Sequence, residues 1–318
     1  MKLLLLYINI LVCFATLLDE VRKEVVDEAL LKLPKRGSVD ILKMALAMSN
    51  AKEDYKMTDI ESAYFAYKWI GQNIEYDCLG KKLGNSTTLP TNTYKDGKGG
   101  EIGISELFNM ICSFLDIEAN TILGVKKDWS EDYNSSNLFK YDEYAWNYIT
   151  IDKKYYLLDL ISGAGLCTYS ESFLRRQNDG YFGINPELSI RYLFPNDKEW
   201  QLLSKPITEE QFKSQSILED GFFKYFNKVS PDISTIKEQT KVILTFKDPK
   251  IEKLYIRDCY SIEKGSTLVP EGKEVKIING ACEVTIRPIQ KRNGYVFIEV
   301  SEDNKNYYKV VTYGLVLS

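Results

Sequence analysis

The chain has 318 residues and not one histidine. Histidine is the usual general base near neutral pH and the commonest metal ligand. Its absence excludes Ser-His-Asp and Cys-His hydrolases of ordinary form, and His-ligated zinc chemistry with them. That leaves six cysteines and the carboxylates as candidates for chemistry. A reactive thiol needs a base or a positive neighbourhood. Cys78 and Cys167 fall in loop-like stretches with no base at hand, and Cys112 falls on the apolar face of a helix, where cysteine reads as a small hydrophobe. None of the cysteines has the paired spacing of a zinc site, so no metal or cofactor is expected. If Cys13 leaves with a leader, five cysteines remain and at least one stays unpaired within the chain. Cys259 and Cys282 are expected to pair, because both lie in one β-rich region.

Residues 1–18 read as a secretory leader. Met1-Lys2 supplies a positive start, and Leu3 to Leu18 is an apolar run broken at Asn9 before charge returns at Asp19-Glu20. Cys13 and Ala15 place small residues where a cut after Ala15 needs them. Asn85-Ser86-Thr87 and Asn134-Ser135-Ser136 both fit the N-glycan acceptor pattern in polar stretches. A secreted or lumenal glycoprotein is therefore expected. No later segment is long and apolar enough to span a bilayer, and a net charge of -4 with no basic stripe gives no case for nucleic acid.

The elements that must position any site are legible from periodicity. Residues 19–57 read as an N-terminal helical segment, with helices over 19–33, stopped by Pro34, and from Ser38 to about Ser49. Thr58-Asp59-Ile60-Glu61 forms a capping box, followed by an apolar face of Ala63, Ala66, Trp69, Ile70 and Ile74. Residues 78–100 are polar and glycine-rich and read as one long loop, then a helix runs from Ile102 to Leu115. Period two takes over in Thr121–Val125, Glu143–Ile151 and Tyr155–Leu160, the last two joined by the turn Asp152-Lys153-Lys154. A boundary is expected between Val229 and Glu238. Beyond it, over 238–318, short runs such as Val242–Phe246, Val275–Ile278, Cys282–Ile286 and Tyr295–Val300 predict a small β-sandwich, with Asn293-Gly294 as a hairpin turn.

Four stretches in order resemble the transglutaminase-like superfamily, and within it the branch of kyphoscoliosis peptidase and the cytokinesis-associated proteins. They are Ala63-to-Ile70 with Asn73-Ile74-Glu75-Tyr76-Asp77; Lys98-Gly99-Gly100-Glu101-Ile102-Gly103 running into the helix; Tyr144-Ala145-Trp146-Asn147 with Ile151-to-Asp159; and Phe194-Pro195 with Trp200-Gln201-Leu202-Leu203. The resemblance implies an α+β fold over residues 58–230, with helices packed on an antiparallel sheet in the papain-like manner. It also implies a Cys-His-Asp triad at positions here held by Glu101, Tyr144 and Asp159. In such a triad a thiolate at a helix N-terminus is stabilised by the helix dipole, and histidine shuttles its proton under the orienting aspartate. Only the aspartate is retained. Trp69, Tyr76 and Trp146 are read as aromatics of the core or groove wall.

Three functional readings follow, the third of them a structural component of the cell surface or matrix whose unpaired cysteine bridges chains. In the first the chain is an inactive member, a pseudoenzyme that binds a protein or extended peptide in the old groove or on the sandwich. In the second Glu101 and Asp159 act as an acid/base carboxylate pair of a hydrolase, which requires both to meet substrate.

Overall fold

Thr58 opens the helix on which the N-terminal half is built. Its hydroxyl accepts from the Glu61 amide at 3.3 Å, and the Glu61 carboxylate accepts from the Thr58 amide at 2.9 Å, satisfying two amides that a helix start leaves free. Arg22 then clamps the same buried carboxylate through its backbone amide and guanidinium. The structure is a computed structural model describing residues 17–129, 138–168, 170–248, 250–263, 266–287 and 293–316.

The helices up to residue 164 are, in order, α1 (Lys23–Lys32), α2 (Ile41–Asp54), α3 (Asp59–Asn73), α4 (Cys78–Leu83), α5 (Pro90–Asp96), α6 (Glu101–Phe114) and α7 (Leu160–Ala164). The strands among them are β1 (Glu75–Tyr76), β2 (Lys98–Gly99), β3 (Glu118–Trp129), β4 (Phe139–Ile151), β5 (Lys154–Leu158), β6 (Gly165–Cys167), β7 (Phe173–Arg175), β8 (Phe182–Ile184) and β9 (Leu193–Pro195). An antiparallel sheet of order β8-β5-β4-β3-β9 carries α3 and α6 on its apolar face. Tyr64, Phe65, Phe108, Ile111, Trp146 and Leu158 are sealed in that core, so the fold is the expected α+β arrangement.

The apparent loop of 78–100 contains two short helices. Asp77 caps α4 by accepting from the Gly80 amide, and Pro90 sits at the start of α5, where its missing amide costs nothing. Strand β3 runs on to Trp129 rather than stopping at Val125, because it pairs with β4 along its whole length. The strand expected to reach Leu160 ends at Leu158, since Asp159 turns the chain into α7. Leu17 and Leu18, included above in the leader, pack against the core, whereas a cut after Ala15 would leave both in place. No helix of the described residues is long and apolar enough to cross a membrane.

The C-terminal sandwich is built from two sheets around one apolar core. The larger joins β10 (Ile217–Leu218), β12 (Thr235–Ile236), β14 (Tyr255–Glu263), β15 (Ser266–Leu268), β16 (Lys273–Glu274), β18 (Gly294–Ser301) and β19 (Tyr308–Leu315). The smaller joins β11 (Phe226–Ser230), β13 (Lys241–Phe246) and β17 (Ala281–Thr285). Val242, Leu244 and Phe246 alternate inward from the smaller sheet to meet Val296, Ile298 and Val311 of the larger. Thus β10 and β11, assigned above to the preceding domain, pair with C-terminal strands. Gly294 begins a strand rather than forming a turn, and of the Val275–Ile278 run only Ile278 bridges, to Ala281.

The expected disulfide is not the one that forms. Cys259 lies on the larger sheet and Cys282 on the smaller; both are free and buried, each beside its own acceptor, Glu299 and the Leu244 carbonyl. Burial, aided at Cys259 by the Glu299 charge, pushes both thiols up to about 12. The bond instead joins Cys78 to Cys167 across 89 residues. Cys112 is also free and buried, so no free cysteine of the described residues is exposed to bridge to a second chain.

Candidate functional site

Each candidate residue is held by a different element. Glu101 is the first residue of α6, where Gly100 leaves the helix start without a side-chain cap and a carboxylate interacts favourably with the helix dipole. Tyr144 lies on β4 opposite Gly124 of β3. A side chain at Gly124 would run into the Phe194 carbonyl and the Trp146 ring, so the glycine is what lets the strands close beside Tyr144. Asp159 follows β5 directly and caps α7, accepting from the Ser162 amide at 3.0 Å.

The three positions fall into two hydrogen-bonded pairs, Tyr144 with Asp159 and Tyr76 with Glu101. The Tyr144 phenol donates to Oδ1 of Asp159 at 2.8 Å. Tyr76 of β1 donates to Oε1 of Glu101 at 2.6 Å and lies close enough to Asp159 to feel its charge. Burial, then the neighbouring carboxylates, push both phenols well above the usual tyrosine value, so both stay protonated near neutrality. Tyr144 is therefore a donor to the aspartate and no base.

Two lysines that the sequence reading did not single out complete the arrangement. Lys81 of α4 pairs with Glu101 at 2.5 Å and donates to the Glu143 carbonyl at 2.9 Å. Lys126 of β3 donates to the Ser162 hydroxyl at 2.6 Å, lies 3.8 Å from Oδ2 of Asp159, and sits 4.6 Å from the centre of the Tyr144 ring. The signal for Lys126 was available in principle. Ile122, Gly124 and Lys126 share one face of β3, so extending the strand two residues past Gly124 puts Lys126 diagonally beside Tyr144.

The result is closed. Asp159 has no exposed surface, Tyr144 is 8% exposed and Glu101 9%. A carboxylate pair working on substrate must touch it, and the burial of Asp159 counts against that reading. Trp69 and Trp146 are core rather than groove wall, each at most 2% exposed, Trp69 stacking on Tyr94; of the three aromatics only Tyr76 belongs to the site. Asn85 is exposed just after α4, with Ser86 and Thr87 half-buried against the start of α6; Asn134 lies outside the described residues.

Residues 47–160 match the model of the transglutaminase-like superfamily. Kyphoscoliosis peptidase of Homo sapiens is 28% identical over 183 residues, covering 57% of this chain and 28% of its own length. Hillarin of Drosophila melanogaster is 25% identical over 207 residues, covering 57% of this chain and 25% of its own. The chain spans less than a third of the length of the curated relatives it matches. Among solved structures, a crystal structure of a TGase covers 49% of this chain and 35% of its own at 14% identity, with a TM-score of 0.28, too low to carry an argument.

Proposed function

With residues 47–160 a transglutaminase-like domain of the kyphoscoliosis peptidase branch, we propose that the chain is a catalytically inactive member that acts by binding, as a protein- or peptide-binding scaffold of the secretory pathway or outside the cell. The observation that carries this reading is the hydrogen bond from Tyr144 to Asp159. The aspartate that would orient a histidine instead holds a phenol that stays protonated, and the helix start that would present a thiolate presents a carboxylate locked by Tyr76 and Lys81. No proton acceptor and nucleophile of the Cys-His kind remain in the chain.

What supports the secretory part is the apolar leader, an exposed acceptor asparagine at Asn85, and a disulfide, which persists in oxidising compartments. The test for catalysis is incubation of the purified chain with thiol-directed probes, primary-amine donors and peptide substrates. No reaction with the thiol-directed probes and no turnover are expected; turnover abolished by Glu101→Gln or Asp159→Asn would overturn the reading. Expression in a secreting cell tests the rest. A glycosidase-sensitive mass increment lost in Asn85→Gln is expected, and a retained, unglycosylated chain would refute it.

A further inference from the structure

The closed site is fastened by one covalent bond, and its surroundings show what that bond restrains. Helix α4 has six residues, too few to be stable alone in water. It has no apolar anchor, for Leu79 and Leu83 are 48% and 63% exposed, and its buried residues are Cys78 and Gly80. Its side-chain ties beyond the disulfide include a cap from Asp77, the pairs Lys81–Glu101 and Lys82–Glu171, and a solvent-exposed bond from Lys81 to the Glu143 carbonyl, made by lysines 36% and 63% exposed. Pairs that are partly in water hold little. The Cys78–Cys167 bond, by contrast, ties the start of α4 to β6, which follows directly from α7 and its cap Asp159. The hairpin of β6 and β7 is itself fixed, with Arg175 donating to the carbonyls of Gly71 and Ile74.

The geometry points to a redox-operated strap: reduction of Cys78–Cys167 releases α4 with Lys81, and this uncovers Glu101 and Tyr76 and opens the site. This regulates the binding site proposed above and rests on that reading. Cys167 is an exposed residue and Cys78 a buried one, so a reductant approaches the bond from the Cys167 side. The step needs a dithiol. Its thiolate attacks the Cys167 sulfur and the Cys78 sulfur leaves; the second thiol then displaces Cys167. The dithiol ends as a cyclic disulfide and each cysteine gains one electron and one proton.

Hydrogen exchange read by mass spectrometry on the whole chain, without ligand, tests the strap. The oxidised chain, the chain reduced with dithiothreitol, and the double variant Cys78→Ala with Cys167→Ala are compared. Amides of residues 78–84 are expected to exchange at least about tenfold faster in the latter two, with those of α6 unchanged. Equal protection of 78–84 in all three overturns the strap, as does equal acceleration throughout α6, which would make the bond a brace for the whole domain. Binding of a mixed-sequence extended-peptide library is measured separately. A strap that opens while neither form holds peptide leaves the strap standing and refutes the peptide-binding reading.

Discussion

Tyr144 donates a 2.8 Å hydrogen bond to Asp159, and both side chains are buried. The carboxylate also accepts from the Ser162 amide and is offset by Lys126 at 3.8 Å. Removing one donor leaves a buried acceptor short of its partner. Tyr144→Phe is therefore expected to lower the unfolding free energy by about 1–3 kcal/mol in urea titration. A change within error would mean that water replaces the phenol and that the pocket is not sealed.

The positions at which the family resemblance implies a triad are open to a constructive test. Glu101→Cys alone places a thiol at a helix start beside Lys81, and adding Tyr144→His places an imidazole beside Asp159. The double variant is expected to react with iodoacetamide at neutral pH at least about tenfold faster than Glu101→Cys alone. Equal rates would show that these two positions do not face each other as the family resemblance implies.

Acid sensitivity should trace in part to Glu61. Burial pushes its carboxyl up, but hydrogen bonds from the Arg22 side chain and from the Thr58 and Arg22 amides, with the Arg22 charge, outweigh that and lower it from 4.5 to about 2. A value lower in the folded than the unfolded chain stabilises above the unfolded value, and that stability is lost as pH falls from 4.5 towards 2. Glu61→Gln is expected to cost about 1–3 kcal/mol at pH 7, the half-exposed Arg22 limiting the figure, and to flatten the acid limb of the stability curve. Parallel curves for the two proteins would refute the assignment.

Lys127 gives a dependence of the same sign in a higher pH window. Its ammonium is buried beside Phe139 and Phe212 and donates to the carbonyls of Phe212, Lys213 and Gln215. Burial, and then the Arg191 charge, lower it from 10.5 to about 7. Between those values the unfolded chain binds more protons than the folded one, so stability rises with pH. From pH 7 to 10 the wild-type chain should gain about 1–3 kcal/mol relative to Lys127→Met, the carbonyl contacts holding the gain down. A constant difference across that range would show the ammonium to be charged throughout.

Local chemistry was legible wherever the contacts are close in sequence. The capping box of Thr58 and Glu61 spans three residues, and the turn at Asp152-Lys153, where both residues take positive φ, sits between strands that pair residue by residue. The apolar stripe of α6 and the alternation of β13 likewise announce which side faces a core, because periods of 3.6 and 2 need no distant partner. The missing histidine is a fact of the chain itself and rules out Cys-His chemistry before any fold is known.

Other features were settled only when distant segments met. Cys78 finds Cys167 rather than Cys259 finding Cys282, because β1 and β2 bring the start of α4 beside the β6–β7 hairpin, while the other two cysteines fall on separate sheets. Tyr76 reaches Glu101 across 25 residues, and Lys126 reaches Ser162 across 36. Such pairings depend on strand register and chain closure, which no local period encodes. The sequence by itself determined that the chain has no histidine to serve a cysteine. The tertiary structure decided that the Tyr144 phenol lies against Asp159 and that a disulfide-tethered helix pairs with Glu101, because burial and long-range pairing exist only in the folded chain.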